Sequence, residues 1–206
     1  MESERSLKME EQYVKWAIWL AAAYFAGAVP FGFLIGKTRG VDVRTVGSRN
    51  IGATNVFRTV GKKWGLLAFL CDFLKGFLPT LAAAKCAGCG ADLPVAVGLA
   101  CVIGHTLTVF MKFKGGKGVA TAFGMMVALI PYLALGALAL FAVTVWLSHY
   151  ISLGSCLAAA ALGIAVWFCG CPLSLKVVVA LIAVFVIVKH KSNIRRLIDG
   201  CENKIY

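Results

Sequence analysis

Residues 93–118 read LPVAVGLACVIGHTLTVFMKFKGGKG, an apolar stretch that ends in a basic, glycine-rich loop. As a helix rising about 1.5 Å per residue, the stretch Leu93–Met111 spans roughly 30 Å, the thickness of the hydrocarbon layer of a bilayer. The loop that follows places Lys112, Lys114 and Lys117 among glycines. Apolar stretches separated by short cationic segments recur along the chain, and this pattern predicts an all-α, polytopic integral membrane protein.

The composition supports this prediction. Of the 206 residues, 60% are hydrophobic and 15% are charged, yet the formal net charge is +12. In a soluble protein that excess would suggest nucleic-acid binding. Here the charges lie between apolar runs, without a basic helix or an aromatic RNA-binding motif, so membrane topology and anionic substrates explain them better. We expect membrane lipid, and no nucleic acid, among the partners.

Seven apolar runs are predicted to form membrane helices, and the whole chain, 1–206, is predicted to be one membrane-embedded domain. The runs are Tyr13–Ile35, Trp64–Ala84, Leu93–Met111, Val119–Ile130, Tyr132–Leu147, Ile151–Cys169 and Leu173–Val188. The fourth and fifth are short and are separated by Pro131.

Charge determines the predicted topology. The positive-inside rule favours a cytoplasmic position for the basic segments 37–63 and 112–117 and for the tail after residue 188. An even number of crossings must then lie between Lys117 and Lys189, which requires two short helices around Pro131. The sequence therefore predicts seven transmembrane helices, with the amino terminus outside and the carboxy terminus in the cytoplasm.

Two cysteine pairs, Cys86 with Cys89 and Cys169 with Cys171, lie near the outer face in this topology. A disulfide or metal site there stays open, but packing of small residues is the favoured interpretation, and no metal centre is predicted.

The second basic segment ends in Gly115, Gly116, Lys117 and Gly118 and opens a helix near Val119. It lacks the Ser or Thr that must follow the lysine of a Walker A loop, so it is not a nucleotide P-loop. A helix amino terminus beside a lysine still suits an anion, and these four residues are predicted to bind phosphate. The alternative is a lysine that only reaches to the membrane surface beside a flexible turn.

The first basic segment, residues 47–58, reads GSRNIGATNVFR. It offers hydrogen-bond donors in place of apolar side chains, and an arginine can bind phosphate through two parallel hydrogen bonds. The candidate phosphate ligands are Ser48, Asn50, Thr54, Asn55 and Arg58. Alternatively, the segment is a polar loop whose Asn and Ser residues cap helices.

The third basic segment, residues 189–196, reads KHKSNIRR. If it is helical, His190 and Asn193 share one face, three residues apart, and both are candidate substrate ligands. For Arg195 and Arg196, contact with lipid headgroups is the favoured interpretation.

Charged or titratable residues also occur inside predicted membrane helices. Asp72 and Lys75, three residues apart, are expected either to form a structural ion pair or to serve the site. For His105, a structural histidine and a supporting role in the active site are equally compatible with the sequence.

Three segments resemble the signatures of the bacterial acyl-phosphate-dependent glycerol-3-phosphate acyltransferases: 47–58, 104–121 and 189–196. The resemblance extends from about Tyr13 to Leu197. It implies a seven-helix enzyme of the bacterial inner membrane with its active site on the cytoplasmic side. It further implies catalytic roles for Ser48, Arg58, Lys117 and His190, with His190 chiefly binding substrate and secondarily acting as a base.

The chain departs from the family pattern at three positions. Arg49 stands where the family usually has Gly, Thr108 where it commonly has Pro, and Ser192 where it has an acidic residue. These differences concern the local geometry of the loops.

The implied reaction joins an acyl-phosphate to glycerol 3-phosphate, without a cofactor or metal. The His-x-x-x-x-Asp motif of thioester-using acyltransferases is absent from the chain, which favours acyl-phosphate as the donor. The resemblance leaves open a direct handover from the enzyme that forms the acyl-phosphate. A transporter for a phosphorylated solute and a non-catalytic membrane subunit remain as alternative classes.

Overall fold

The computed structural model describes residues 2–86 and 90–205, which form ten α-helices and two 3₁₀ turns and contain no strand. The helices are α1 (Glu2–Ala28), α2 (Phe31–Thr38), α3 (Ala53–Thr59), α4 (Lys62–Ala84), α5 (Leu93–Thr106), α6 (Val119–Leu129), α7 (Pro131–Ser148), α8 (Ile151–Ala165), α9 (Leu173–Lys189) and α10 (Lys191–Ile198). The 3₁₀ turns Val109–Met111 and Val166–Phe168 follow α5 and α8. The predicted all-α class is confirmed.

Each of the seven predicted apolar runs contains an α-helix, although the first and third are interrupted. Five helical stretches are long and apolar enough to cross a membrane: Met9–Thr38, Lys62–Ala84, Leu93–Met111, Pro131–Ser148 and Ile151–Phe168. Helices α9 and α10 meet at 54° and add a sixth span if the bent pair is counted as one, whereas α6 is shorter. The number of crossings and the sides on which the termini lie remain predictions.

Two prolines explain how the chain divides into helices. The first run is interrupted because Pro30, which has no N–H to donate, separates α1 from α2. The predicted break at Pro131 is confirmed. Helix α6 ends at Leu129, and Pro131 is the first residue of α7, the helical position that proline favours.

Helix α4 presents leucines outward and polar groups inward. Its exposed stripe repeats every four residues and consists of Leu66, Leu70, Leu74 and Leu78. The opposite face buries Asp72 and Lys75, which are 2% and 7% exposed. In a bilayer this arrangement places leucine against lipid and keeps charge inside the bundle.

Helices α4 and α6 cross in close backbone contact. A side chain at Gly76 would collide with the backbone of Thr121, and one at Gly124 would collide with the backbone of Phe73. Small residues at such crossings let membrane helices approach closely. The crossing brings the glycine-rich loop before α6 close to the polar face of α4.

The cysteines contribute no metal centre in the part of the chain that the structure describes, where no group of three or more His, Cys, Asp and Glu could hold an ion. Cys169 and Cys171 carry free thiols. Cys89 lies outside the described residues, and so does the possible pairing with Cys86 that the sequence left open.

Candidate active site

All three basic segments converge on one cavity of about 510 Å³. Nine of the predicted site residues line it: Ser48, Asn50, Thr54, Asn55, Arg58, Lys117, Gly118, His190 and Asn193. Gly115 and Gly116 are not among the residues that line it. The cavity therefore brings together residues that are up to 145 positions apart in the chain, Ser48 and Asn193 being the extremes of this set.

Asn55 organises the first segment. This side chain is 1% exposed; its Nδ2 donates to the carbonyls of Val43 (2.8 Å) and Val46 (3.2 Å), and its Oδ1 accepts a hydrogen bond from the Ser48 amide at 2.9 Å. Both ends of the amide are thus engaged by the loop. Asn55 acts here as the residue that places Ser48 at the edge of the cavity.

Arg49 and Asn50 complete this loop. The Asn50 Oδ1 accepts a hydrogen bond from the Gly52 amide at 2.8 Å, which tightens the entry into α3. Arg49 has φ = 56°, in the left-handed region that glycine adopts without steric cost. Arginine therefore occupies a strained backbone conformation that glycine would adopt more easily.

The second segment is packed against the end of α5. The Gly115 amide donates to the Thr106 carbonyl at 3.1 Å, and the Gly116 amide donates to the His105 carbonyl at 3.2 Å. The sequence interpretation gave both amides to a phosphate, whereas the structure has them donate to protein carbonyls. A Cβ at Gly115 would collide with the His105 carbonyl, so glycine is needed for the loop to lie this close.

Lys117 and the start of α6 face the cavity. The Lys117 Nζ donates a hydrogen bond to Oδ1 of Asn193. Gly118, with φ = 82°, turns the chain into α6, and Val119 and Ala120 of the first helical turn line the cavity. Because the first amides of a helix have no intrahelical acceptor, this end of α6 is suited to an anion.

Burial tunes the charge of Lys117. Loss of solvation lowers its pKa to about 8; the nearby Glu202 carboxylate opposes this shift, and the Arg196 guanidinium adds to it. An amine with this pKa is still mainly protonated at pH 7. Lys117 therefore supplies positive charge that is sensitive to pH just above neutrality.

His190 lies at the joint between α9 and α10. Its ring is buried, and Nδ1 donates to the Val186 carbonyl at 2.8 Å, which leaves Nε2 as the acceptor. Burial, reinforced by the charge of Lys117, lowers the pKa of His190 to about 4. The imidazole is therefore neutral at physiological pH.

The sequence reasoning missed Glu202. Its carboxylate, 7% exposed, accepts hydrogen bonds from Ser152 Oγ (3.0 Å), Asn193 Nδ2 (2.6 Å) and Arg196 Nε (2.6 Å). Desolvation raises the pKa of Glu202, but these hydrogen bonds outweigh it and lower the pKa below its usual value. The available signal was an acidic residue within a basic tail, nine residues after Asn193.

The carboxy-terminal segment closes one side of the cavity. The Arg58 Nη2 donates to the Asn203 carbonyl at 2.8 Å, and the Ile205 amide donates to the His149 carbonyl at 2.9 Å. The Arg58 Nε is buried without a hydrogen-bond partner among the described residues. A buried charged donor of this kind is available to an anionic ligand.

An apolar groove of about 130 Å³ continues from the polar cavity. The two share Phe69, Val119, Phe141 and Ser155. Beyond these, the groove is lined mainly by aliphatic and aromatic side chains of α6 to α9, such as Met126. The site thus combines a cationic chamber with an adjoining apolar channel, and the sequence reasoning did not identify the channel.

The chain is similar to proteins of known family. Residues 17–200 match the family model described as Glycerol-3-phosphate acyltransferase. A glycerol-3-phosphate acyltransferase of Trichlorobacter lovleyi is 51% identical over 186 residues, covering 90% of this chain and 95% of that protein. One of Geobacter sulfurreducens is 49% identical over 187 residues, covering 91% and 96%.

Two solved structures are also similar to this chain, and each is 40% identical to it over 92% of its length and 95% of theirs. Both are crystal structures of PlsY (YgiH), an integral membrane glycerol 3-phosphate acyltransferase. The glycerol 3-phosphate form has a TM-score of 0.88, and the lysophosphatidic acid form has a TM-score of 0.84.

Proposed function

The chain belongs to the glycerol-3-phosphate acyltransferase family, and from that premise we propose that its acyl donor is an acyl-phosphate. The reaction transfers the fatty acyl group to the 1-hydroxyl of sn-glycerol 3-phosphate. It yields 1-acyl-glycerol 3-phosphate (lysophosphatidic acid) and phosphate, the first acylation of phospholipid synthesis. The enzyme resides in the bacterial inner membrane, with its active site on the cytoplasmic side.

The observation that carries this proposal is the continuity of the cationic chamber with the apolar groove. An acyl-phosphate has a phosphate at one end and a hydrocarbon chain at the other, so it matches both parts of the site. Glycerol 3-phosphate brings a second phosphate into the same chamber. The lining of the chamber includes four cations, Arg58, Lys117, Lys189 and Arg196, of which Arg196 is paired with Glu202.

Positioning and charge neutralisation carry most of the catalysis. The acceptor hydroxyl attacks the acyl carbon, an ester bond forms, and the bond from that carbon to the phosphate oxygen breaks. The electron pair of the broken bond leaves with the phosphate, which also takes the hydroxyl proton. Lys117, Arg58 and the start of α6 compensate the negative charge of the two phosphates.

The remaining polar residues bind and orient the substrates. Neutral His190 accepts a hydrogen bond from a substrate hydroxyl through Nε2, and its low pKa makes it a weak base. Ser48 and Asn50 border the chamber from the loop that Asn55 holds. Asn193 connects Lys117 with Glu202 and so fixes the lysine in the chamber.

The donor is tested by incubating purified protein in lipid with labelled glycerol 3-phosphate and one acyl donor at a time. We expect labelled lysophosphatidic acid with acyl-phosphate, and none with acyl-CoA or acyl carrier protein. The matched control is Lys117→Ala with acyl-phosphate. Robust turnover with acyl-CoA alone would refute the proposed donor, and the absence of labelled lipid with every donor would contradict acyltransferase activity itself.

A further inference from the structure

A buried charge cluster lies beside the cavity within the helix bundle. Asp72, Lys75 and His105 are 2%, 7% and 5% exposed. The Asp72 Oδ1 lies 2.7 Å from Lys75 Nζ and 3.5 Å from His105 Nδ1. Asp72 and His105 line the cavity, yet the proposed reaction gives them no part in the chemistry.

Lys75 anchors this cluster on the side away from the cavity. Its Nζ donates to the Val29 carbonyl at 2.8 Å, at the break between α1 and α2, and lies 5.6 Å from the centre of the Phe31 ring. The lysine balances the charge of Asp72, so a carboxylate can border a chamber that must accept anions. It also fixes the carboxylate in place, because the ion pair is buried and short.

His105 connects the carboxylate with the glycine-rich loop. Its Nδ1 faces Asp72, and the opposite edge of the ring, with Nε2, faces Gly116 so closely that a Cβ there would collide with it. Gly116 directly precedes Lys117, the cation of the second segment. The imidazole therefore packs against the loop at Gly116, directly before Lys117.

We propose that Asp72 and His105 are positioning residues for acyl transfer: Asp72, held by Lys75, orients the His105 imidazole, and the imidazole sets the loop that carries Lys117. This inference rests on the proposed function, because it assumes that Lys117 acts on a substrate phosphate. Neither Asp72 nor His105 touches the reacting atoms; both act through the position of the Lys117 amine.

A double-mutant cycle between Asp72 and Lys117 tests this dependence. We expect Asp72→Asn to lower kcat/KM at least tenfold in the wild-type background and less than twofold in the Lys117→Ala background. The matched control is Asp92→Asn, at the opposite end of α5, which should leave kcat/KM unchanged. A purely structural role for Asp72 would lower kcat/KM by the same factor in both backgrounds, and normal activity of Asp72→Asn would also overturn the inference.

A second readout does not depend on turnover. The rate at which an amine-reactive reagent modifies Lys117, followed by mass spectrometry, should rise at least threefold in Asp72→Asn and stay unchanged in Asp92→Asn. An unchanged rate in Asp72→Asn would refute the positioning role even if the wild type used another donor. If the wild type makes no lysophosphatidic acid but the Lys117 rate responds, the proposed function fails and the coupling stands.

A third experiment, on Gly116 and His105, covers the case in which Asp72→Asn does not fold. Gly116→Ala should lose at least tenfold in kcat/KM because its methyl group collides with the His105 ring. His105→Asn alone should also lower kcat/KM, because the imidazole is gone, but it shortens the side chain that opposes Gly116. The double variant should therefore lose at least threefold less than the product of the two single losses. A double loss equal to that product would show that this contact does not set the loop.

Discussion

The ammonium group of Lys117 donates a hydrogen bond to Oδ1 of Asn193, which stands 76 residues further along the chain. The other end of the same amide donates to Glu202. Because Asn193 is neutral, it holds the lysine without cancelling its charge. The cation thus remains available to a phosphate, while the negative charge of Glu202 lies one residue further away in this chain of hydrogen bonds.

The first prediction concerns the two cations of the chamber. Lys117→Ala and Arg58→Ala should each lose most activity while the protein still folds. A hydrogen bond to a charged group contributes roughly 1.5–3 kcal/mol, and 1.36 kcal/mol corresponds to about tenfold in rate. If these bonds form in the transition state, kcat/KM should fall by about ten- to more than a hundredfold.

Lys114→Ala is the matched control, because Lys114 belongs to the same loop but is absent from the cavity lining. It should be less damaging than Lys117→Ala. If Lys114→Ala abolished activity while Lys117→Ala kept near-normal kcat/KM, the phosphate-binding lysine would be Lys114 and not Lys117. If both variants kept full activity, the second segment would not be part of the phosphate site.

The second prediction concerns pH. Since the pKa of Lys117 is about 8, its charge is present below that value and is lost as pH rises through it. The kcat/KM for glycerol 3-phosphate should therefore fall above about pH 8, approaching about tenfold per pH unit, because this parameter reports the free enzyme. With its pKa of about 4, His190 stays neutral and adds no change between pH 6 and 9.

The variant Lys117→Arg tests whether deprotonation of Lys117 causes the fall in kcat/KM above pH 8. Arginine remains protonated throughout the range, so the falling limb above pH 8 should disappear, although overall activity drops because the two side chains differ in shape. A falling limb of the same midpoint in Lys117→Arg would assign the titration to another group or to the substrate.

The membrane helices could be predicted from sequence because each signal is local. An apolar run of about twenty residues, or a proline such as Pro131, constrains the chain at that position whatever surrounds it. The convergence of the three basic segments was predictable as well, since the positive-inside rule predicts that all three lie on the same side of the membrane. The run Tyr13–Ile35 was predicted as one helix, but Pro30 divides it into α1 and α2.

The missed features depend on contacts between distant positions. Whether the Gly115 and Gly116 amides are free depends on how the end of α5 lies against the loop. Glu202 gains its role from Ser152, Asn193 and Arg196, which only the folded tail brings together. The apolar groove arises between several helices, and apolar residues along each helix do not indicate which of them will border a common space.

The third prediction concerns topology. Lys62 and Lys191 should be cytoplasmic and Asp92 should face outward, because the positive-inside rule places the basic segments together. Single cysteines at these positions, in an otherwise cysteine-free variant, can be labelled with a membrane-impermeant thiol reagent in intact cells. Only position 92 should react. Reaction of position 191 from outside would remove the basis for counting the helices on either side of Pro131 as two separate crossings.

The fourth prediction concerns Arg49. Its left-handed backbone conformation costs roughly 1–2 kcal/mol, and glycine removes this strain at an entropic cost of about 0.5–1 kcal/mol. Arg49→Gly should therefore raise stability by up to about 1 kcal/mol, which corresponds to a rise in Tm of roughly 2–4 °C. Its activity should stay within about twofold of the wild type, because Arg49 contributes to the loop through its backbone, whose amide donates to the Val46 carbonyl at 3.0 Å.

Arg49→Val, which is β-branched, should instead lower Tm and displace Ser48 and Asn50 from the chamber. A large loss of kcat/KM in Arg49→Gly at unchanged Tm would show that the arginine side chain itself contacts a substrate.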